Sequence, residues 1–259
     1  MFAIYKKEMR AYFTSPIGYI YMGVFLALSA LVFCYTTLSA KSYDLSPYFY
    51  YMIFAFAILI PLLTMRSFAE ERKMRTEQLL LTAPISITGM VLGKYLAAFS
   101  MFAGSVLLSC INLVPLLSIA GEEKAAAKYA AQAANIGPVG SQIVGALIGV
   151  ILIGAVFLAI GVFISALTES QLAAAVSTIG VVLLTILLGF VNEIGSDAEG
   201  TRLIGSYAVR SVIDWISVLS RFGNFFVGKF DFAALFYYLS LTFVFVFLTV
   251  RVYEKRRWG

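Results

Sequence analysis

Gln142–Leu167 reads QIVGALIGVILIGAVFLAIGVFISAL, 26 residues without a charge. As a helix this stretch is about 39 Å long, more than the roughly 30 Å of a bilayer's hydrocarbon core. It is apolar on every face, so it has no side that prefers water. Five further runs are long and apolar enough to cross a bilayer: Ile17–Leu38, Tyr48–Met65, Tyr95–Ile119, Gln171–Val191 and Phe232–Val250. The chain of 259 residues is 61% hydrophobic and 13% charged, against about half apolar and about a quarter charged in soluble domains. One core cannot hide so much apolar surface, and the bilayer has to be the solvent. The expected fold is an all-α integral membrane protein, with six transmembrane helices in one domain over residues 17–250.

The charges mark the membrane edges. Lys6, Lys7 and Arg10, then Arg66, Arg72, Lys73, Arg75 and Lys94, then Arg251, Lys255, Arg256 and Arg257 fall on one side of the six runs. Lys41, Lys124, Lys128, Arg202, Arg210, Arg221 and Lys229 fall on the other, so the sides carry twelve and seven cations. Loops rich in Lys and Arg stay in the cytoplasm, which puts both termini inside, with residues 251–259 as a basic tail. The expected location is a bacterial inner (plasma) membrane, multi-pass. The first run follows three cations as a secretory signal would, but about twenty residues is too long for a cleavable segment. No basic stripe lies on a soluble fold, so no nucleic-acid partner is expected.

No Asp, Glu, Lys, Arg or His falls inside the six runs as bounded above. Ion-coupled carriers and intramembrane enzymes usually keep ionisable groups at depth. The chain has no histidine, and Cys34 and Cys110 both sit in apolar runs. No metal site, disulfide or catalytic residue is expected, and the two thiols read as buried and inert. Any uphill work would draw on energy from outside the membrane.

The connecting segments carry the remaining information. In residues 1–16, Phe2, Tyr5, Met9, Tyr12 and Phe13 fall on one helical face and Lys6, Lys7, Arg10 and Thr14 on the other. That pattern predicts an amphipathic helix in the interface, broken at Pro16. The charged loop Arg66–Lys94 has neither Gly nor Pro from Ala69 to Leu81. A helical hairpin is expected there, with Glu71 and Arg75 as an i,i+4 pair and Pro84 as its stop. Met74, Leu79, Leu80 and Leu81 call for something to pack on, so a docking surface is expected. The turn Thr168–Gln171 could touch the same partner. On the other side, an external helix is expected in the alanine-rich stretch from Lys124 to Asn135. In the loop 192–231, Arg210, Asp214, Ser217 and Arg221 oppose Ala208, Val212, Trp215, Leu219 and Phe222, which predicts an amphipathic helix. Gly145, Gly149, Gly154 and Gly161 point to close packing of the fourth span.

The stretch Glu70-Glu71-Arg72, Thr76-Glu77-Gln78-Leu79-Leu80 and Pro84, followed by Val91-Leu92-Gly93-Lys94, resembles the cytoplasmic loop of ABC-2 type permeases. Gly161–Gln171 is similar to that family's junction between the fourth and fifth spans. The gliding-motility-associated permeases look closest. The resemblance implies an exporter subunit that pairs with a second permease chain (a copy of itself or a related permease) and with a separate cytoplasmic ABC ATPase. A membrane-anchored auxiliary protein accompanies some members. It also implies that Glu70, Glu71, Arg72, Thr76, Glu77, Leu80 and Pro84, with Thr168 and Gln171, couple the chain to the ATPase. Residues 1–16 would be the family's elbow helix and Ser206–Phe222 part of its outer re-entrant hairpin, carrying Arg210, Asp214, Trp215 and Arg221. Arg75 departs from the pattern, standing where the family has Gly before Thr, and is expected to stiffen the helix there.

A phosphate-binding loop is absent: Gly93-Lys94 is followed by Tyr95, and Thr88 stands where the first Gly belongs. ATP and Mg are therefore expected on the partner ATPase, with no cofactor and no enzymatic activity in this chain. A non-transport membrane scaffold and an ion-driven carrier are the competing readings. The sequence does not select a substrate.

Overall fold

A computed structural model describes residues 1–78, 86–126, 137–194, 207–226 and 228–258. The protein is all-α, with no strand among the described residues. Helix α1 (Phe2–Thr14) is followed by α2 (Pro16–Phe33), which ends in a π-helical turn, Cys34–Leu38. Next come α3 (Ser46–Thr64) and the short α4 (Ala69–Lys73). Helix α5 (Ile87–Ser109) passes through a 3₁₀ turn at Cys110–Asn112 into α6 (Leu113–Ala126). Helices α7 (Gly140–Leu167) and α8 (Gln171–Ile194) are joined by a short turn. After α9 (Tyr207–Ile216) and α10 (Gly223–Phe226), α11 (Phe232–Trp258) closes the chain. Six helical segments are long and apolar enough to span a membrane, and they correspond to the six runs in the sequence.

The apolar α7 stands at the centre, packed on α3, α5, α8 and α11. Its glycines are notches for different neighbours rather than one seam. A Cβ on Gly145 would press on the Phe225 backbone, and one on Gly149 on the Phe222 ring. The same atom on Gly154 would overlap the Phe102 ring, and on Gly161 it would meet Thr64. Without a hydrophobic force between helices in lipid, such close backbone approach is a main source of cohesion. Tyr21, Phe25, Ser29 and Phe33 form the buried stripe of α2 at i,i+4 spacing. Phe25 meets Phe56 and Phe102, and the last two lie edge to face at 5.0 Å. The 3₁₀ turn aims Asn112 at Ser29 Oγ (2.9 Å), which also bonds Tyr48 (2.8 Å), so the polar groups of three elements satisfy one another.

Outward faces are apolar as well. Leu31 and Tyr35, Leu172 and Leu184, and Phe236 and Phe243 are all exposed. A soluble monomer does not tolerate such continuous apolar surface, and hydrocarbon is its natural solvent. Cys34 belongs to this outer surface and is exposed, which corrects its reading as a buried thiol; Cys110 is half-buried.

Both ends of the chain lie at one end of the bundle, since Lys7 approaches Glu71 and Arg256 bonds Glu77. Ser15 is extended before Pro16, which opens α2, so the break expected there is present. Ile4 is buried against α5, while Phe2 and Phe13 are exposed. Tyr5 and Tyr12 reach Ser100 and the Leu63 carbonyl. Helix α1 thus docks on α5 through Ile4 and leaves Phe2 and Phe13 on its outer surface.

Candidate functional site

Charge concentrates at the end of the bundle that carries the termini, and the cations that are buried or half-buried there (Arg66, Arg72, Lys94 and Arg256) are all paired. Lys94 is at its centre. Helix α5 begins at Ile87 with Ser86 at its N-cap, ahead of the apolar run that starts at Tyr95, so Lys94 sits about 10 Å along it, with a side chain only 2% exposed. A buried ammonium needs compensation on all its donors. Its Nζ lies 2.8 Å from Glu71 Oε1 and 3.2 Å from Glu8 Oε1, donates to the Ser67 carbonyl at 2.6 Å, and faces the Phe68 ring at 4.9 Å.

Arg72 extends the cluster to the turn between α7 and α8. It bonds Glu169 at 3.0 Å and the Leu167 carbonyl at 3.1 Å, and lies 3.5 Å from Glu77. Glu77 in turn accepts from Arg256 of α11 at 3.1 Å, and Arg256 also donates to the Ala166 carbonyl at 2.8 Å. Ser165 Oγ accepts from the N–H groups of Phe68 and Ala69, both at 3.2 Å, satisfying two donors at the α4 N-terminus. The Phe68 and Tyr253 rings meet at a tilt, with centroids 4.7 Å apart. Arg66 and Glu70 make a bidentate pair with both contacts at 2.7 Å, and the Glu70 hydrogen bonds hold the guanidinium above its ordinary pKa. Three sets of ion pairs, joined through consecutive residues of α4, therefore tie it to α1, α5, the α7–α8 turn and α11.

The expected helix over Ala69–Leu81 does not run through. Helix α4 stops at Lys73, and Arg75 takes φ +56°. Arg75 N–H bonds the Arg72 carbonyl and Thr76 N–H bonds the Glu71 carbonyl, each at 3.0 Å. This is a Schellman C-cap with Arg75 in the left-handed position usually held by Gly. Arg75 thus ends the helix rather than stiffening it. The predicted Glu71–Arg75 pair does not form either, because past the cap the two side chains no longer share a face, and Glu71 turns to Lys94.

The sequence-derived set divides on burial. The Glu71, Arg72 and Glu77 side chains are 16%, 19% and 17% exposed and act as internal struts. Thr76 bonds the Glu71 carbonyl, and Thr168 bonds the Ile164 carbonyl. Gln171 opens α8 half-buried, with no part in the network among the described residues. Leu79, Leu80, Leu81 and Pro84 lie outside the described residues, as does the alanine-rich stretch from residue 127 onward. Surface is offered instead by Met74, already expected to need a partner, with Lys73 and Arg75 beside it, and by Leu167, Glu169 and Leu172 at the neighbouring turn. Lys94, Glu8 and Arg256 were missed as network members because their partners are far away in sequence. The paired charge patterns of α1 and of the C-terminal tail were the signal available for the last two.

At the opposite end the expected amphipathic helix is broken. Helix α9 ends at Ile216, and Ser217, Val218, Leu219 and Phe222 are buried in the turn beyond it. Val212 and Trp215 are exposed on the outer surface of α9. The carbonyls freed at the helix end decide this: Tyr237, Tyr238 and Arg221 cap those of Ile216, Val218 and Trp215. The side chains of Arg210 and Asp214 lie outside the described residues. Among the described residues no cluster could hold a metal ion. No family model matches the chain, and no curated protein matches it.

Proposed function

We propose that this chain is the membrane-spanning permease subunit of an ATP-driven exporter of the ABC-2 type, driven by a separate cytoplasmic ATPase. The observation that carries the reading is the network around Lys94, Arg72 and Glu77. A push on α4 cannot be absorbed locally, because ion pairs and carbonyl caps pass it to α1, α5, α7 and α11. Helices α2, α3 and α8 supply neither an ion pair nor a carbonyl cap to the network among the described residues, so they are the spans against which the tied set would shift. Discrete rearrangement of rigid packed units is how such transitions are transmitted. Two further observations support the family reading. The left-handed cap falls at Arg75, the position where the family pattern has Gly. Both termini and this charge-rich end share one side of the bundle, the side expected in the cytoplasm.

Contact and transmission belong to different residues on this reading. The ATPase meets Lys73, Met74 and Arg75 together with Glu169 and Leu172, and Glu71, Arg72 and Glu77 relay the load behind them. The test is co-purification in nanodiscs with the ATPase encoded beside this chain. Met74→Asp with Leu172→Asp is expected to abolish association. Glu77→Gln is expected to keep association but lower the coupling of ATP hydrolysis to transport. If no ATPase associates with the wild-type chain, the permease reading fails, and the network is the clamp of a membrane scaffold.

A further inference from the structure

Helices α8 and α11 both pack on α7 but scarcely touch each other. Between them lies a cleft of about 290 Å³, floored by Ile160 and closed at one end by Trp215 and Ile216. Val181 from α8 and Val244 from α11 flank its open side and are exposed. The hydroxyls that line it are committed elsewhere: Thr185 donates to the Val182 carbonyl, Ser240 to that of Tyr237, and Tyr237 to that of Ile216. A hydrophilic solute would find little to bind there. Left empty in hydrocarbon, the walls would forgo dispersion contacts along their whole length. From Tyr237 to Phe245 that length is about 12 Å, about two-fifths of the roughly 30 Å hydrocarbon core.

The closed end carries a cation. The Arg221 guanidinium lies 3.8 Å from the Tyr237 ring centroid and donates to the Trp215 carbonyl at 3.4 Å. Among the described residues no carboxylate forms an ion pair with it. Asp231 is near enough to feel its charge, but is itself engaged by Asn224 and the first N–H groups of α11. Lys229 is exposed close by in sequence. Trp, Tyr and Arg together mark headgroup level in membrane proteins.

We propose that the cleft between α8 and α11 holds one acyl chain of an anionic phospholipid, with its phosphate against Arg221. The chain fills the apolar slot, and the guanidinium supplies charge-assisted hydrogen bonds at the depth where the phosphate lies. The site does not depend on the export reading, and its test does not involve an ATPase.

The chain has two tryptophans, so Trp258→Phe leaves Trp215 as a single reporter at the cleft. This variant is reconstituted in vesicles containing phosphatidylglycerol or phosphatidylcholine brominated on the acyl chain near the carboxyl end. Quenching of Trp215 is expected to saturate, at a mole fraction several-fold lower for phosphatidylglycerol. Arg221→Gln is expected to erase that preference and Arg221→Lys to retain most of it. Ser240→Phe fills the cleft and is expected to remove the saturable component for both lipids. Quenching that simply follows mole fraction, equally for both lipids and in all variants, would mean bulk lipid only and overturn the proposal. So would a Trp215 that neither lipid quenches, because protein would then cover the cleft.

Discussion

Lys94 Nζ and Glu71 Oε1 lie 2.8 Å apart, with the lysine side chain 2% exposed and the carboxylate 16%. The pair joins α5 to α4, and the same ammonium holds Glu8 of α1 at 3.2 Å. Breaking a buried pair from one side leaves a charge without compensation. Lys94→Met is therefore expected to destabilise the protein by about 3–5 kcal/mol. Adding Glu71→Gln should recover part of the loss, with a coupling of about 0.5–3 kcal/mol. Thermal unfolding of both single variants and the double variant in detergent measures this. Additive losses would show that the two side chains do not act as a pair.

Arg75 occupies a left-handed conformation at the C-cap of α4. Arg75→Gly relieves the steric penalty but adds freedom to the unfolded chain, so its net effect on stability is expected to stay within about 1 kcal/mol. Arg75→Val places a β-branched side chain at φ +56° and is expected to cost about 2 kcal/mol, the upper part of the usual left-handed penalty. In a melting series the Val variant should fall below both wild type and the Gly variant. A Val variant as stable as wild type would contradict the cap.

Gly154 leaves no room for a Cβ beside Phe102, whereas Gly180 on α8 has nothing within 4 Å. Gly154→Ala is expected to cost about 1–3 kcal/mol through overpacking. Gly180→Ala is expected to stay within about 0.5 kcal/mol. Phe102→Leu should partly rescue the first and leave the second unchanged.

Asp231 caps α11 by accepting from Ala233 N–H at 2.9 Å and from Asn224 at 2.9 Å. The Asn224 hydrogen bond, followed by that of Ala233, holds its carboxyl below the ordinary value. A lowered pKa contributes stability that is fully present above the unfolded-state value and is lost as pH falls through the folded one. Asp231→Ala is therefore expected to melt below wild type at neutral pH. The difference should shrink as pH drops below about 4, near the ordinary Asp value, and stay flat from pH 6 to 8. A gap independent of pH across the acid range would mean that the carboxylate is not the stabilising group.

The candidate site was only partly legible. Glu71, Arg72 and Glu77 stand out in the sequence as charges beside an apolar run, and the structure places all three in the ion pairs that tie α4 to its neighbours. Their roles were not legible, because Lys94, Glu169 and Arg256 reach them from residues far along the chain. The i,i+4 rule proposed Arg75 for Glu71, yet Arg75 left the helix altogether. In the same way, Trp215 and Leu219 shared a face on a helical wheel. The chain turns between them, because the carbonyls at the end of α9 found caps on α11 and on Arg221.

The number of spans was determined by the sequence itself. Uncharged runs longer than a bilayer's hydrocarbon thickness leave the backbone no option but helix, since it must satisfy its own N–H and C=O groups. Composition and periodicity are local, so residues 142–167 declare themselves without reference to any neighbour. Tertiary structure alone decided which helix stands in the centre, which glycine meets which side chain, and which carboxylate receives Lys94. Those choices depend on shape and on charge compensation between segments distant in sequence. A buried ammonium is stable only where the fold brings its carboxylates to it.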